Sequence, residues 1–303
     1  MPASLVRNMS LGRDIGHDQI TNKTDKAREN RIMKTETLSP RYKLDHLAPM
    51  GRVGVITLAT DFNIEQDLRR IYPDGVEMFT SRVRNYNPLT IENLRTMAPG
   101  ISAAADAILP GTQLDVIIYA CTSGTVAIGS ERVTELIHST RPGALVTNPV
   151  TAAFAAFTEL NAERISVLTP YTETVNEDVA RVFTGSGCEV INIAGFGFED
   201  DTEMTFISPR DIEEAAIKVC DPDADLLFIS CTALRSAQVV ERIEERLGKP
   251  VITSNQVLAW HSLRLLQYPA AVHGYGHLLS CHLSPESGIE HLTDQASVLE
   301  VTS

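Results

Sequence analysis

DVIIYACTSGT (Asp115–Thr125) and DLLFISCTALR (Asp225–Arg235) decide how this chain folds. Each opens on an acid, runs through a few apolar residues, and closes on Cys-Thr and a polar turn. A short apolar run bounded by turn signals reads as a strand buried on both faces. Such strands belong to parallel sheets covered by helices. Helical patterns follow both runs, in GTVAIGSERVTELIHST and SAQVVERIEERLG. The same phrase written twice, 110 residues apart, points to a duplicated unit.

The neighbouring segments repeat as well. RVGVITLA, VEMFTSRV, DVIIYACT and GALVTNP read as four strands with helical stretches between them. RISVLTPY, CEVINIAGF, DLLFISCT and KPVITSN read as four more. Val53 falls on Ile165 at an offset of 112, Cys121 on Cys231 at 110, and Thr147 on Thr253 at 106. The expected fold is α/β: two lobes related by a pseudo-twofold axis, each a four-stranded parallel sheet flanked by helices, with the site in the cleft between them. Residues 47–148 form the first lobe and 149–255 the second. The final segment, about 256–303, returns to complete the first. Residues 1–46 are polar and form an N-terminal extension that cannot offset its own ordering entropy; it is expected to be disordered or draped on a partner subunit.

Composition narrows the function. The 303 residues are 43% apolar and 21% charged, enough for a substantial core. A net charge of −13 repels phosphate backbones, so no nucleic-acid partner is expected. No stretch approaches the roughly 18–20 apolar residues that span a bilayer, and no apolar leader opens the chain, so a cytoplasmic protein without a membrane role is expected. The five cysteines, Cys121, Cys188, Cys220, Cys231 and Cys281, are odd in number and form no C-x-x-C pair. A disulfide framework and a zinc knuckle are therefore disfavoured, and the thiols are expected to be reduced.

Cys121 and Cys231 each sit where a strand ends and a helix is about to begin. Unpaired N–H groups at a helix start favour an anion there, which lowers a thiol's pKa or holds a carboxylate. Two thiols facing each other across a twofold axis suit racemisation, in which one removes a proton and the other delivers one. They suit cis–trans isomerisation equally, through addition to a double bond, rotation and elimination. A strand-end cysteine is also common core filling, but two at equivalent positions of a repeat favour chemistry. No cofactor motif accompanies them.

ACTSGT, SCTALRS and LTPY, with the paired strand-end cysteines, resemble the aspartate/glutamate racemase superfamily over roughly residues 50–270. The nearest branch is that of maleate cis–trans isomerases and arylmalonate decarboxylases. TDFNIEQDL, TNPVTAAFAAF and SNQVLAWHSLR resemble the ectoine-utilisation members of that branch. The resemblance implies Cys121 as nucleophile and Cys231 as acid. It implies Asn63 and Tyr171 as substrate-binding residues, and Thr122 and Ser123 as oxyanion-hole positions with Thr232 as their counterpart. Asn148 and Asn255 lie beside the symmetric fourth strands and are further substrate-binding candidates. It also implies a small carboxylic-acid substrate and a homodimer or higher homo-oligomer. In the decarboxylases the first cysteine is a glycine; this chain has both, which favours isomerisation over decarboxylation. A non-catalytic carboxylate sensor stays open. So do structural roles: Asn63 suits a helix cap, Tyr171 a core position, Thr122, Ser123 and Thr232 local turns. Thr147 and Thr253 read as structural.

Other signals are discounted. His273, His277, Cys281 and His282 in HGYGHLLSCH are interrupted by glycines and read as a loop or subunit contact, not a metal site. GFGFEDD lacks the third glycine of a dinucleotide turn. Cys188, Cys220 and Trp260 read as packing.

Overall fold

Short apolar runs become strands here because both faces are covered. In the computed structural model, which describes residues 35, 36, 45, 47–185 and 187–283, the first half contains β1 (Gly51–Leu58), α1 (Ile64–Ile71), β2 (Val76–Val83), α2 (Ile91–Arg95), α3 (Ala98–Asp106), β3 (Val116–Ala120), α4 (Thr122–Ile128), α5 (Ser130–His138), β4 (Leu145–Thr147) and α6 (Pro149–Glu159). The second half contains β5 (Arg164–Tyr171), α7 (Glu173–Thr184), β6 (Glu189–Phe198), α8 (Asp201–Met204), α9 (Pro209–Val219), β7 (Leu226–Ile229), α10 (Val240–Leu247), β8 (Val251–Thr253), α11 (Ser254–Leu265) and α12 (His277–Cys281). The N-terminal extension read over 1–46 lies outside the described residues, save for 35, 36 and 45. So does the end of the returning segment, 284–303.

The two sheets run β2-β1-β3-β4 and β6-β5-β7-β8, and every pairing is parallel. The duplication extends to register. Val53 pairs with Met78 and Val116, and Ile165 pairs with Val190 and Leu226. The offset of 112 that carries Val53 to Ile165 also carries Met78 to Val190, and 110 carries Val116 to Leu226. All residues of β3 and β7 are buried, as central strands of doubly covered sheets require.

The helices that end each half cross over. Phe157 of α6 packs edge-on against Phe183 of α7 and Phe228 of β7, with ring centroids 6.1 and 5.9 Å apart. α11 packs on α1, α6 and β3. Ten of its residues, Ser254 to Leu263, are buried, Trp260 among them. The two sheets thus share one compact unit. No helix among the described residues is long and apolar enough to cross a membrane.

Three local features depart from the reading of the sequence. The helix after β3 divides into α4 and α5 at Gly129, whose φ of 95° no L side chain adopts readily. α8 is a short turn opened by an Asp200 cap, which accepts from the amides of Thr202 and Glu203. α12 forms because Gly274 and Gly276 precede the helix instead of interrupting it.

The strand order reverses beside β1 and β3 in one sheet and beside β5 and β7 in the other. Chain ends leave the sheet on opposite sides at such a switch point, and a crevice opens beyond the carboxyl ends of the strands.

Candidate active site

Four strand ends supply the crevice. Cys121, directly after β3, is the N-cap of α4, and its sulfur accepts the Gly124 amide at 3.2 Å. Glycine is required three residues on. A Cβ at 124 would lie 2.8 Å from Cys121 Sγ and 2.6 Å from the Tyr119 hydroxyl. Cys231 follows β7 by two residues, and the Ala233 amide is bonded to its thiol. Tyr171 ends β5, and its hydroxyl meets the Cys231 thiol and Ser123. Ser123 Oγ in turn lies 3.8 Å from Cys121 Sγ. The two cysteines sense each other electrostatically. One thiol from each half therefore reaches the same space, with Tyr171 and Ser123 between.

The space is closed, where the sequence suggests an open cleft. Cys121 and Cys231 are only 3% and 4% exposed. Loops after β1, β2 and β6 latch the halves together. The Thr60 hydroxyl donates to Asp201, the Asp201 amide donates to Asn87 Oδ1 at 3.2 Å, and the Leu89 amide donates to the Glu199 carbonyl at 2.8 Å. Phe62 and Phe206 stack at a tilt across the same loops, 6.1 Å between centroids.

Closure reverses the expected ionisation. A helix start lowers a thiol's pKa, and the Gly124 and Ala233 amides act in that direction. Burial acts more strongly, and Asp201 adds to it. The Cys121 thiol is pushed up to about 12 and the Cys231 thiol is raised also. Both are neutral thiols in this structure. Burial likewise raises Tyr171 well above the ordinary tyrosine range.

The remaining residues predicted for the site divide into two groups. Near the cysteines, the Thr122 hydroxyl is 2.9 Å from that of Ser254, and the Thr232 hydroxyl donates to the Ala120 carbonyl at 3.3 Å, both across the halves. Asn63 stands at the N-cap of α1, but its side chain does not cap the helix. Its amide donates to Asp67 Oδ2 and to the carbonyls of Thr232 and Leu234, at 2.9–3.2 Å. Asn255 donates to the same Asp67 oxygen and to the Thr232 carbonyl. Asn148 stands apart as the N-cap of α6, accepting from the Val150 and Thr151 amides. Thr147 meets His261 Nδ1 at 2.7 Å, and Thr253 forms a capping box with Gln256; both are structural. His277 and His282 touch at 3.3 Å, but no group of three or more metal-ligating side chains forms among the described residues.

A family profile described as arylmalonate decarboxylase matches residues 66–279. The chain belongs to this family. Within it, a maleate isomerase of Nocardia farcinica is 25% identical over 239 residues, covering 75% of this chain and 95% of its own. An arylmalonate decarboxylase of Bordetella bronchiseptica is 25% identical over 243 residues, covering 75% and 95%. A Nocardia farcinica maleate cis–trans isomerase mutant, solved with a covalently bound succinylcysteine intermediate, superposes with a TM-score of 0.69 at 24% identity, covering 76% of this chain and 98% of that one.

Three acids complete the crevice of this family member, and the sequence reading passed over them. Asp61 and Asp67 flank Asn63 in TDFNIEQD, and Asp201 closes GFGFEDD. All three are buried. An acid three residues beyond a buried strand was the available signal for Asp61. Asp201 gave none, because only tertiary contact brings it to Thr60. Asp61 Oδ1 accepts the Asn63 and Ile64 amides at 2.7 and 2.9 Å. Burial nevertheless raises its pKa from 3.8 to about 6, with Asp201 adding to the shift. Between those values the folded protein holds a proton that the unfolded chain has released. Stability therefore falls as pH rises through the window, by an amount on the order of 1–3 kcal/mol. Asp61→Asn removes the effect, so its stability relative to the parent is expected to rise between pH 4 and pH 7. Urea titrations of both proteins across that range measure the difference; a constant difference contradicts the assignment.

Proposed function

We propose that the protein is a cofactor-independent isomerase of a small carboxylate, acting through Cys121 and Cys231. The observation that carries this reading is the convergence of one thiol from each half on Tyr171 and Ser123. Cys121 gives up its proton to solvent as the substrate enters, and the thiolate adds to one carbon of a cis double bond. The π electrons move toward the adjacent carboxylate, and the Cys231 thiol protonates the neighbouring carbon. Rotation about the new single bond follows. The Cys231 thiolate then takes a proton back, the carbon–sulfur bond breaks, and the trans acid leaves. Ser123, Thr122 and Thr232 are placed to hold a carboxylate, with Tyr171 donating to it. Asn63 and Asn255 order the Thr232 loop, and Asn148 starts α6.

The maleate isomerases among the relatives, and the succinylcysteine in one of them, support the addition chemistry. The likeness of TDFNIEQDL, TNPVTAAFAAF and SNQVLAWHSLR to ectoine-utilisation proteins supports an ectoine-derived acid as substrate, with the same cysteine pair racemising it. The family resemblance supports a homodimer or higher homo-oligomer, and the reduced thiols a cytoplasmic setting. Decarboxylation is the second reading, favoured by the family profile. It needs Cys231 alone.

The test is trapping. Cys231→Ser, incubated with maleate and related unsaturated acids, is expected to gain the mass of one whole acid on the Cys121 peptide. The absence of any adduct, with carbon dioxide released from a malonate by a Cys121→Gly variant, supports the decarboxylase instead.

A further inference from the structure

Tyr119 brings a second phenol to the crevice. It lies on β3, two residues before Cys121, and the backbone is still extended at Cys121. Alternation along an extended chain turns both side chains to the same face. Tyr119 is fully buried, and its hydroxyl donates to Met97 Sδ at 3.9 Å. A thioether is a weak acceptor, and a buried tyrosine hydroxyl ordinarily has a full partner. Phenylalanine would fill the same space without burying a polar atom, so packing alone does not account for the oxygen.

A second acceptor is within reach. A Cβ placed at Gly124 would lie 2.6 Å from the Tyr119 oxygen, 2.8 Å from Cys121 Sγ and 2.8 Å from Met97 Cε. Hydroxyl, thiol and thioether side chain thus surround one point, and the glycine keeps it clear. Rotation about the phenol C–O bond is enough to redirect the proton from Met97 to Cys121.

The two sulfurs compete unequally once Cys121 ionises. A hydrogen bond to an ion is roughly twice as strong as one between neutral groups, so a thiolate outbids a thioether. The Cys121 sulfur has the Gly124 amide at 3.2 Å and the Ser123 hydroxyl at 3.8 Å, and burial outweighs both. A further donor that needs only one bond rotation is what a thiolate there lacks. Burial holds the Tyr119 phenol well above the ordinary tyrosine range, so it keeps its proton and stays a donor.

We propose that Tyr119 is a positioning residue for the reaction, acting through Cys121: its hydroxyl turns from Met97 to the sulfur as the thiol ionises and holds the thiolate ready for addition. The inference rests on Cys121 being the nucleophile. The phenol keeps its proton and the thiol's goes to solvent, so no co-reactant is needed.

Tyr119→Phe removes the oxygen and keeps the ring. Alkylation of the folded protein by iodoacetamide at about pH 8, followed on the Cys121 peptide by mass spectrometry where the rate is proportional to reagent, reports the thiolate fraction. One hydrogen bond to an ion is worth about 1–2 pH units of thiolate stability. About half of that returns as nucleophilicity, so the Cys121 rate is expected to fall about 3–10-fold while the Cys231 rate holds. An unchanged or faster Cys121 rate overturns the proposal. A packing role gives the faster rate, because a loosened core uncovers a buried thiol. Equal slowing at Cys231 reports access alone and overturns it also. Met97→Leu withdraws the competing acceptor, and its Cys121 rate is expected to equal or exceed that of the wild type. A slower rate there overturns the proposal even if the phenylalanine variant fails to fold. Alkylation is independent of turnover. A wild-type protein that forms no adduct with any unsaturated acid removes the isomerase reading and leaves the Tyr119 result standing. A Cys121 adduct alongside an unslowed Tyr119→Phe variant does the reverse.

Discussion

Cys231→Ser lowers turnover by about 10²–10⁴-fold, the worth of a positioned acid–base group, and leaves the fold in place. Serine is close to cysteine in shape, and its hydroxyl can take over the contacts with Tyr171 and the Ala233 amide. It is far less acidic, however, and a poor proton donor to a carbanion. Cys121→Ser loses at least as much, because an alkoxide is harder to generate than a thiolate at a site whose neighbours already disfavour negative charge. Its fold is the safer of the two. Cys121 is the N-cap of α4, and serine is among the preferred N-caps. Turnover followed by proton NMR, alongside urea unfolding, separates the two effects. Either variant retaining more than a tenth of wild-type activity would exclude the paired-thiol mechanism.

Asp67→Ala is expected to cost about 2–5 kcal/mol of stability, the largest loss anticipated from any single polar side chain here. Asp67 is 2% exposed, and one of its oxygens accepts from both Asn63 and Asn255. Removing it leaves the buried Asn255 amide short of an acceptor, while Asn63 keeps the Thr232 and Leu234 carbonyls. Part of the loss is returned, because burial raises the Asp67 carboxyl and its desolvation is no longer incurred. Asn63 and Asn255 also hold the Thr232 carbonyl, so the loop carrying Cys231 loosens with them. Equilibrium denaturation measures the cost. A change below about 1 kcal/mol would mean that the hub closes without its centre.

Much of this arrangement is legible from local pattern. The runs before Cys121 and Cys231 are short and apolar throughout, and each is bounded by an acid and a polar turn. Strand burial and helix starts follow from such nearest-neighbour chemistry. The split at Gly129 and the start of α12 were less visible, because a glycine's effect depends on whether it lies within a helix or ahead of it. Asn63 shows the limit most clearly. Its position before α1 suggests a cap, yet its amide spans to Thr232 and Leu234, some 170 residues away in the chain.

The sequence alone determined the duplication, the parallel order of strands and helices, and the placement of a cysteine at the end of a central strand in each half, since periodicity and turn residues act over a few positions. Tertiary structure alone decided that the crevice is closed, that both thiols are neutral, and that Asp61 and Asp201 stand beside them. Those properties depend on desolvation and on charges brought together from opposite halves, and neither quantity exists until the chain has folded.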